Sequence, residues 1–427
     1  MHMKKFTARL ISKIIKDQFF SATFWVFLST GFMNAGNYLF HLLMGRMLGV
    51  SLYGALESMI SALYILSVPT LTMTLVVVKF VSSHKGRGEH ALITSLYNLV
   101  LNKLLIYGSL ALLIMVAISP FIQSFLHLSS IWLALLLPIS FFINLFYFIN
   151  KSVLQGISSF FKFSVLNFLE SVVKVFFAIF LVYLGFKVEG AYGAIVMSIV
   201  IPLVISFLYI KDVVKVKLKG KDKYLHSRDF IKFSLPTFFT SLSLTSLFTV
   251  DIILARHFFP GVESGYYSAV SVLGKVVYFA ASPIVLVIFP MISEHHARKQ
   301  NYDRLLVLGI IFTLLISALI TLIYFLAPEF MVILLFGEKY LSAVGLLGIF
   351  AVFVSLLSLS GLFANFYLSI HKTFPSYIVS IAAVAQVILI ILYHKSLAEI
   401  VWVSIITTFL LLISLLLYYP HAKNSKD

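Results

Sequence analysis

Twelve apolar stretches, each long enough to cross a bilayer, fill almost the whole of this 427-residue chain. They lie at about 19–44, 51–78, 92–119, 129–149, 164–186, 190–210, 232–257, 265–292, 305–327, 341–370, 376–393 and 398–419. A spanning helix needs roughly 20 apolar residues, and each run meets that length or comes close to it. The chain is 61% hydrophobic and 11% charged, far beyond what a soluble core can hide. In lipid only helices and closed barrels satisfy the backbone. These runs are continuous and do not alternate with period two, so they are helices and not barrel strands. The fold class is therefore an all-α polytopic membrane protein of about 12 transmembrane helices.

Charge placement orients it. A net charge of +16 in a soluble protein would suggest nucleic acid; here the basic residues sort by side. With alternate loops assigned to opposite sides, 24 of the 32 Lys and Arg fall on one side and 5 on the other. The remaining three, Lys103, Lys174 and Lys275, fall inside spans. This bias puts both termini in the cytoplasm and agrees with an even number of spans. Nucleic acid is not a partner; membrane lipid is. The N-terminal charges precede a run too long for a cleaved signal, so that run reads as a start-transfer helix that stays. With no cysteine there is no disulfide, thiol chemistry or cysteine metal site.

The stretch KDVVKVKLKGKDKYLHSR, Lys211–Arg228, separates six spans from six. It divides the chain into an N-terminal bundle (1–210), a basic cytoplasmic linker (211–231) and a C-terminal bundle (232–427). The halves look alike. The first span ends in LMGRMLGVSLYGA, with Arg46, Gly49 and Tyr53. The seventh ends in LARHFFPGVESGYYSA, with Arg256, Gly261, Tyr266 and Tyr267. Each time an arginine leaves the helix, a glycine turn follows, and a glycine–tyrosine corner opens the next helix. Pro69 and Pro283 sit at similar depths in spans 2 and 8, and the offset between the halves is about 210–214 residues throughout. Both halves start on the same side and contain an even number of spans, so they are parallel repeats about an axis along the membrane normal. Such a pair encloses a cavity and works by alternating access.

At these residues the chain resembles a known family. GRMLGVSLYG matches the R-x-LG-x-x-x-YG turn of polysaccharide transporters, and VDIILARHFFPGVESGYYSAVSVLGKV resembles their junction between spans 7 and 8. These are oligosaccharide flippases, O-antigen flippases among them, of the multidrug/oligosaccharidyl-lipid/polysaccharide exporter superfamily. The resemblance implies two six-helix bundles and movement of a polyprenyl-diphosphate-linked oligosaccharide to the outer leaflet. No nucleotide-binding loop of the form G-x-x-x-x-G-K-[ST] is present. Energy would come from an ion gradient, or the step would run downhill. The chain is not expected to be an enzyme or to hold a cofactor.

Charged and polar residues inside the spans carry the candidate sites, because each is costly to insert. Lys103 and Lys275 lie roughly ten residues into spans 3 and 8, near mid-bilayer. Neither has an acid at i±3 or i±4 on its own helix. Each would attract a lipid diphosphate or an acidic sugar, or pair across helices with Glu57 or Asp251. Glu170 and Lys174 stand at i and i+4, an orientation in which they neutralise each other; Lys174 is also a substrate candidate. Asn34 and Asn37, with His41, share one face of span 1 and would line a cavity or bond to neighbouring helices. Glu57 and Asp251 would carry a coupled proton or sodium ion, or pair with Arg46 and Arg256 to close an outer gate. Asn365 and Gln386 read as helix–helix contacts, and His295–His296 beside Glu294 as a solvated loop.

The reading is a flippase with a cationic cavity. The rival is an ion-coupled drug or metabolite exporter of the same superfamily, whose cavity would be acidic.

Overall fold

The computed structural model describes residues 18–214, 228–297, 300–370 and 372–424. The N-terminal charges and most of the basic linker lie outside the described residues. Every regular element among the described residues is helical. The first half contains α1 (Gln18–Leu48), α2 (Val50–Leu66), α3 (Val68–Gly86), α4 (His90–Ala117), α5 (Ser119–Phe125), α6 (Ile131–Gly156), α7 (Phe160–Leu181) and α8 (Lys187–Ile210). The second contains α9 (Arg228–Phe258), α10 (Val262–Ala297), α11 (Asp303–Leu326), α12 (Pro328–Leu335), α13 (Val344–Ser369), α14 (Phe374–Leu392) and α15 (Leu397–Asn424).

All twelve expected spans coincide with helices, the second being divided between α2 and α3. Among the described residues nine helical stretches are long and apolar enough to cross a membrane, or up to ten if α2 and α3 together form one span. One of the nine, Phe160–Ile210, contains both α7 and α8. The chain turns between them where Gly185 (φ 91°) and Lys187 (φ 47°) leave helical geometry, and the two helices pack on each other. Two short helices, α5 and α12, were not expected. Each follows a long span at an equivalent place in its half, after Ala117 and after Leu326.

The helix breaks follow from backbone chemistry. Gly49 (φ 74°) and Gly261 (φ 84°) occupy the left-handed region that side chains avoid, and they sit at equivalent corners of the two repeats. Pro328 opens α12, where its missing N–H costs nothing. Pro138, Pro202 and Pro420 lie within α6, α8 and α15, where lipid-embedded helices tolerate them.

Two compact units emerge from the contacts. The first takes the described parts of Met1–His41, Met73–Ser119 and Trp132–Ser227. The second takes Leu42–Thr72, Pro120–Ile131 and the described parts of Arg228–Asp427. Within the second unit α13 is the central helix, packed by α10, α11 and α15 and buried along most of its length. On α11, by contrast, Leu315, Leu319, Leu322 and Phe325 are exposed, as expected of an apolar face turned to lipid. α2 packs onto both α9 and α10 in this unit.

Candidate functional site

The site begins where α2 crosses α10. Gly54 and Gly265, equivalent residues of the two repeats, meet at this crossing. A Cβ on Gly54 would lie 2.9 Å from Gly265 N, and one on Gly265 would lie 2.0 Å from Val50 O. Only two glycines allow the backbones to approach so closely.

One turn further along α2 stands Glu57, 1% exposed. Its Oε1 lies 3.7 Å from Lys275 Nζ of α10. Of the partners open to Lys275, the structure thus brings it to Glu57. The ammonium also faces the Phe248 ring of α9 at 4.7 Å and the Tyr64 ring of α2 at 6.0 Å, both favourable to a cation. Asp251 of α9 is fully buried, and Tyr267 of α10 donates its hydroxyl to Oδ2 at 2.9 Å. Tyr267, Ser271 and Lys275 recur every four residues and so form one stripe of α10. Glu57, Ser61 and Tyr64 form the facing stripe of α2. Asp251 Oδ1, Ser61 Oγ, Ser271 Oγ and Lys275 Nζ are buried without a hydrogen-bond partner.

The two arginines do something other than pair with these acids. Arg256 donates from Nε to Leu126 O (2.9 Å), from Nη2 to His127 O (3.0 Å) and from Nη1 to Ser264 Oγ (2.9 Å). It caps the C-terminal end of α5, where unsatisfied carbonyls gather and the helix dipole favours a cation. His257 adds a contact from Nδ1 to Phe125 O at 2.9 Å. Arg46 Nη2 donates to Leu334 O (2.8 Å) and Ile333 O (3.4 Å) at the end of α12. The arrangement is reciprocal. The arginine of the first repeat caps the short helix of the second, and the arginine of the second caps that of the first. The expected Arg–acid pairs do not form among the described residues, because helix-end carbonyls take both guanidinium groups. Nothing in the sequence announced α5 and α12 as partners beyond their prolines, Pro120 and Pro328.

The first unit has its own charged cluster. Glu170 of α7 accepts from Lys151 Nζ (3.2 Å) and Tyr147 hydroxyl (3.1 Å), both on α6. The expected salt bridge between Glu170 and Lys174 is therefore replaced by one across helices. Lys174 is half-buried, donates to Asn37 Oδ1 of α1 and lies over the Phe40 ring. Further along α1, Ser29 donates to Ser164 (3.1 Å) and accepts from Asn167 (3.4 Å), both of α7. Asn37 thus makes an inter-helix contact, whereas Asn34 is exposed. Lys103 is exposed midway along α4, beside exposed Ile106 and Tyr107. Gln386 bridges helices through Leu247 O and Ser404 Oγ, as expected. Asn365 instead bonds back to Gly361 O of its own helix. Tyr267 was legible only as a corner residue of the repeat, and Phe248 and Lys151 carried no signal as site residues. Position 267 is four residues before Ser271 and eight before Lys275, a spacing that marks its face.

A family profile described as "Polysaccharide biosynthesis protein" matches residues 19–296. No curated protein sequence matches the chain. Solved structures share its fold at low identity. A multidrug resistance MATE family transporter of the MOP superfamily, in an inward-facing conformation, superposes with a TM-score of 0.74 at 14% identity, covering 92% of this chain and 96% of its own. The lipid II flippase MurJ, in an inward closed conformation, gives 0.72 at 16% identity, covering 92% and 87%. A MOP superfamily transporter from Pyrococcus furiosus, described as having a binding pocket of reverse polarity, gives 0.65 at 17% identity, covering 95% and 96%.

Proposed function

The chain belongs to the polysaccharide biosynthesis protein family, and on that premise we propose that it is a flippase for a polyprenyl-diphosphate-linked oligosaccharide. It sits in the cytoplasmic membrane with both termini in the cytoplasm, as the basic loops favour. Residues 1–210 and 232–427 are the two halves that rock about each other, and the polyprenyl tail stays in lipid while the sugar–diphosphate head crosses.

The observation that carries this reading is the excess positive charge in the first unit. Lys151, Glu170 and Lys174 together leave one cation uncompensated at membrane depth, on the half-buried Lys174 held by Asn37. An intramembrane cation of this kind needs water or an anion beside it. A diphosphate supplies the anion, and lysine binds phosphate as a compact point charge. Lys103 on α4 adds a second cation that an arriving head group would meet. Lys275, by contrast, is engaged by Glu57, so the diphosphate falls to Lys174. Arg46 and Arg256, holding α12 and α5, act as the clasps of a gate. This polarity favours an anionic substrate over the organic cations of a drug exporter.

The test is a leaflet-accessibility assay in proteoliposomes with a fluorescent polyprenyl-diphosphate oligosaccharide. Wild type, Lys174→Met and empty liposomes are compared. Protein-dependent flipping, lost in Lys174→Met, is the expected result. No flipping of such lipids, together with gradient-driven uptake of an organic cation, would refute the reading.

A further inference from the structure

Glu170 and Lys174 stand four residues apart on α7, a spacing that favours a salt bridge, yet they turn away from each other. α7 lies between two partners. Ser164, Asn167, Ser171 and Lys174 recur every three or four residues and form the stripe turned to α1. On it Ser29 bonds to Ser164 and Asn167, and Lys174 to Asn37. The two helices approach closely there, since a Cβ on Gly36 would lie 1.8 Å from Ser171 Oγ. Phe163 and Glu170, two turns apart, form the stripe turned to α6. A single oxygen, Glu170 Oε2, accepts from both Lys151 Nζ (3.2 Å) and the Tyr147 hydroxyl (3.1 Å). Tyr147 and Lys151 are one turn apart on α6, so one face of that helix supplies both donors. The rings of Tyr147 (5.0 Å) and Phe163 (5.4 Å) hold the Lys151 ammonium in place. The carboxylate is thus drawn towards α6, while Asn37 and the Phe40 ring (5.9 Å) hold the Lys174 ammonium on the side of α1.

We propose that Lys151 and Tyr147 are positioning residues: by holding the Glu170 carboxylate on α6, they keep Lys174 available to a phosphate group of the substrate. The inference rests on the reading of Lys174 as the anion-binding cation. Two lysines and one carboxylate leave one positive charge whichever lysine the acid joins. What the donors on α6 decide is where that charge sits. With Glu170 on Lys151, it sits on Lys174. With Glu170 on Lys174, an arriving phosphate would have to displace a carboxylate one turn away on the same helix. Such an intramolecular competitor has an effective concentration set by the chain, which does not fall when the ligand is dilute. Lys151 therefore acts through Glu170 and need not touch the substrate. Its hold is enough to separate a structural acid from a functional base that the sequence places side by side.

A rescue experiment tests this. The probe is farnesyl diphosphate, a short polyprenyl diphosphate without sugar, titrated calorimetrically into the full chain in detergent. Lys151→Met should weaken binding about tenfold or more, the scale of coupling between groups in one charged network. Lys151→Met combined with Glu170→Gln should return the affinity to that of the parent, because no carboxylate remains to occupy Lys174. A Lys151 that held the phosphate itself, or that only tied α6 to α7, would not be rescued by removing the acid. Absence of rescue, or an unchanged affinity in Lys151→Met, would overturn the proposal. Size-exclusion chromatography checks that each variant is folded. Should Lys151→Met fail that check, Tyr147→Phe with and without Glu170→Gln repeats the comparison with a smaller loss, and absence of rescue there overturns the proposal equally. Lys174→Met separates the two levels of the argument. Equal binding by Lys174→Met and the parent, or no binding by the parent, refutes the assignment of the diphosphate to Lys174. Binding lost in Lys174→Met but not rescued in the double variant refutes the positioning role alone.

Discussion

Arg256→Ala should destabilise the protein more than Arg46→Ala, although the two arginines are equivalents in the repeat. Arg256 is 5% exposed and makes three hydrogen bonds of 2.9 to 3.0 Å. Ser264 keeps a second partner, Gly261 O, so truncation leaves chiefly Leu126 O and His127 O without their donor. Leu126 O is buried, and orphaning it costs about 1–3 kcal/mol, whereas His127 is exposed and its carbonyl can turn to water. Arg46 is exposed, and its two carbonyls can turn to water; one of its bonds is a long 3.4 Å. That loss should stay within about 1 kcal/mol. With an unfolding entropy of about 2.1 cal/mol/K per residue, the Arg256 cost lowers Tm by roughly 1–3 °C, and the Arg46 cost by at most roughly 1 °C. Intrinsic fluorescence of Trp25, Trp132 and Trp402 during a thermal ramp in detergent reads both. Equal shifts, or a larger shift for Arg46→Ala, would refute the capping argument.

The remaining expectations concern packing and charge. Gly265→Ala should lower Tm by several degrees, because its Cβ would meet Val50 O at 2.0 Å and main chain cannot swing aside. Gly361→Ala in α13 is its control: no atom lies within 4 Å of that Cβ, and gaining alanine in a helix should stabilise by about 0.5–1 kcal/mol. Lys275→Met should reduce the folded yield on size-exclusion chromatography, since it leaves two buried acids without their base, and Lys275→Met combined with Glu57→Gln should restore part of it. Lys174→Met should keep a wild-type elution profile while losing flipping. An unfolded Lys174→Met would recast that lysine as structural.

Much of the fold was legible in the chain because the bilayer leaves so few choices. Once a run is apolar throughout and about 20 residues long, the backbone must close its own hydrogen bonds, and a helix follows. The corners at Gly49 and Gly261 were legible for a similar reason, since local sterics decide where a left-handed turn is affordable. The short helices α5 and α12 escaped notice because seven or eight residues carry no period that separates them from the adjoining spans.

The charged residues divide differently. Composition and insertion cost identified Lys103, Lys174, Lys275, Glu57 and Asp251 as residues needing an explanation. Their partners are set by distances of a few ångströms between helices far apart in sequence. Glu170 shows the difference: the i, i+4 spacing put Lys174 within reach, yet Lys151 on the facing helix holds the carboxylate. Both arginines likewise go to helix-end carbonyls, groups that the sequence does not distinguish from any other peptide unit. By itself the sequence determined the long spanning helices, the repeat and the residues too polar for lipid, because those depend on local geometry and solvent. The tertiary structure alone decided which charge answers which, because Coulomb and hydrogen-bond energies depend on separations that only the packing of α2 on α9 and α10, and of α6 on α7, brings about.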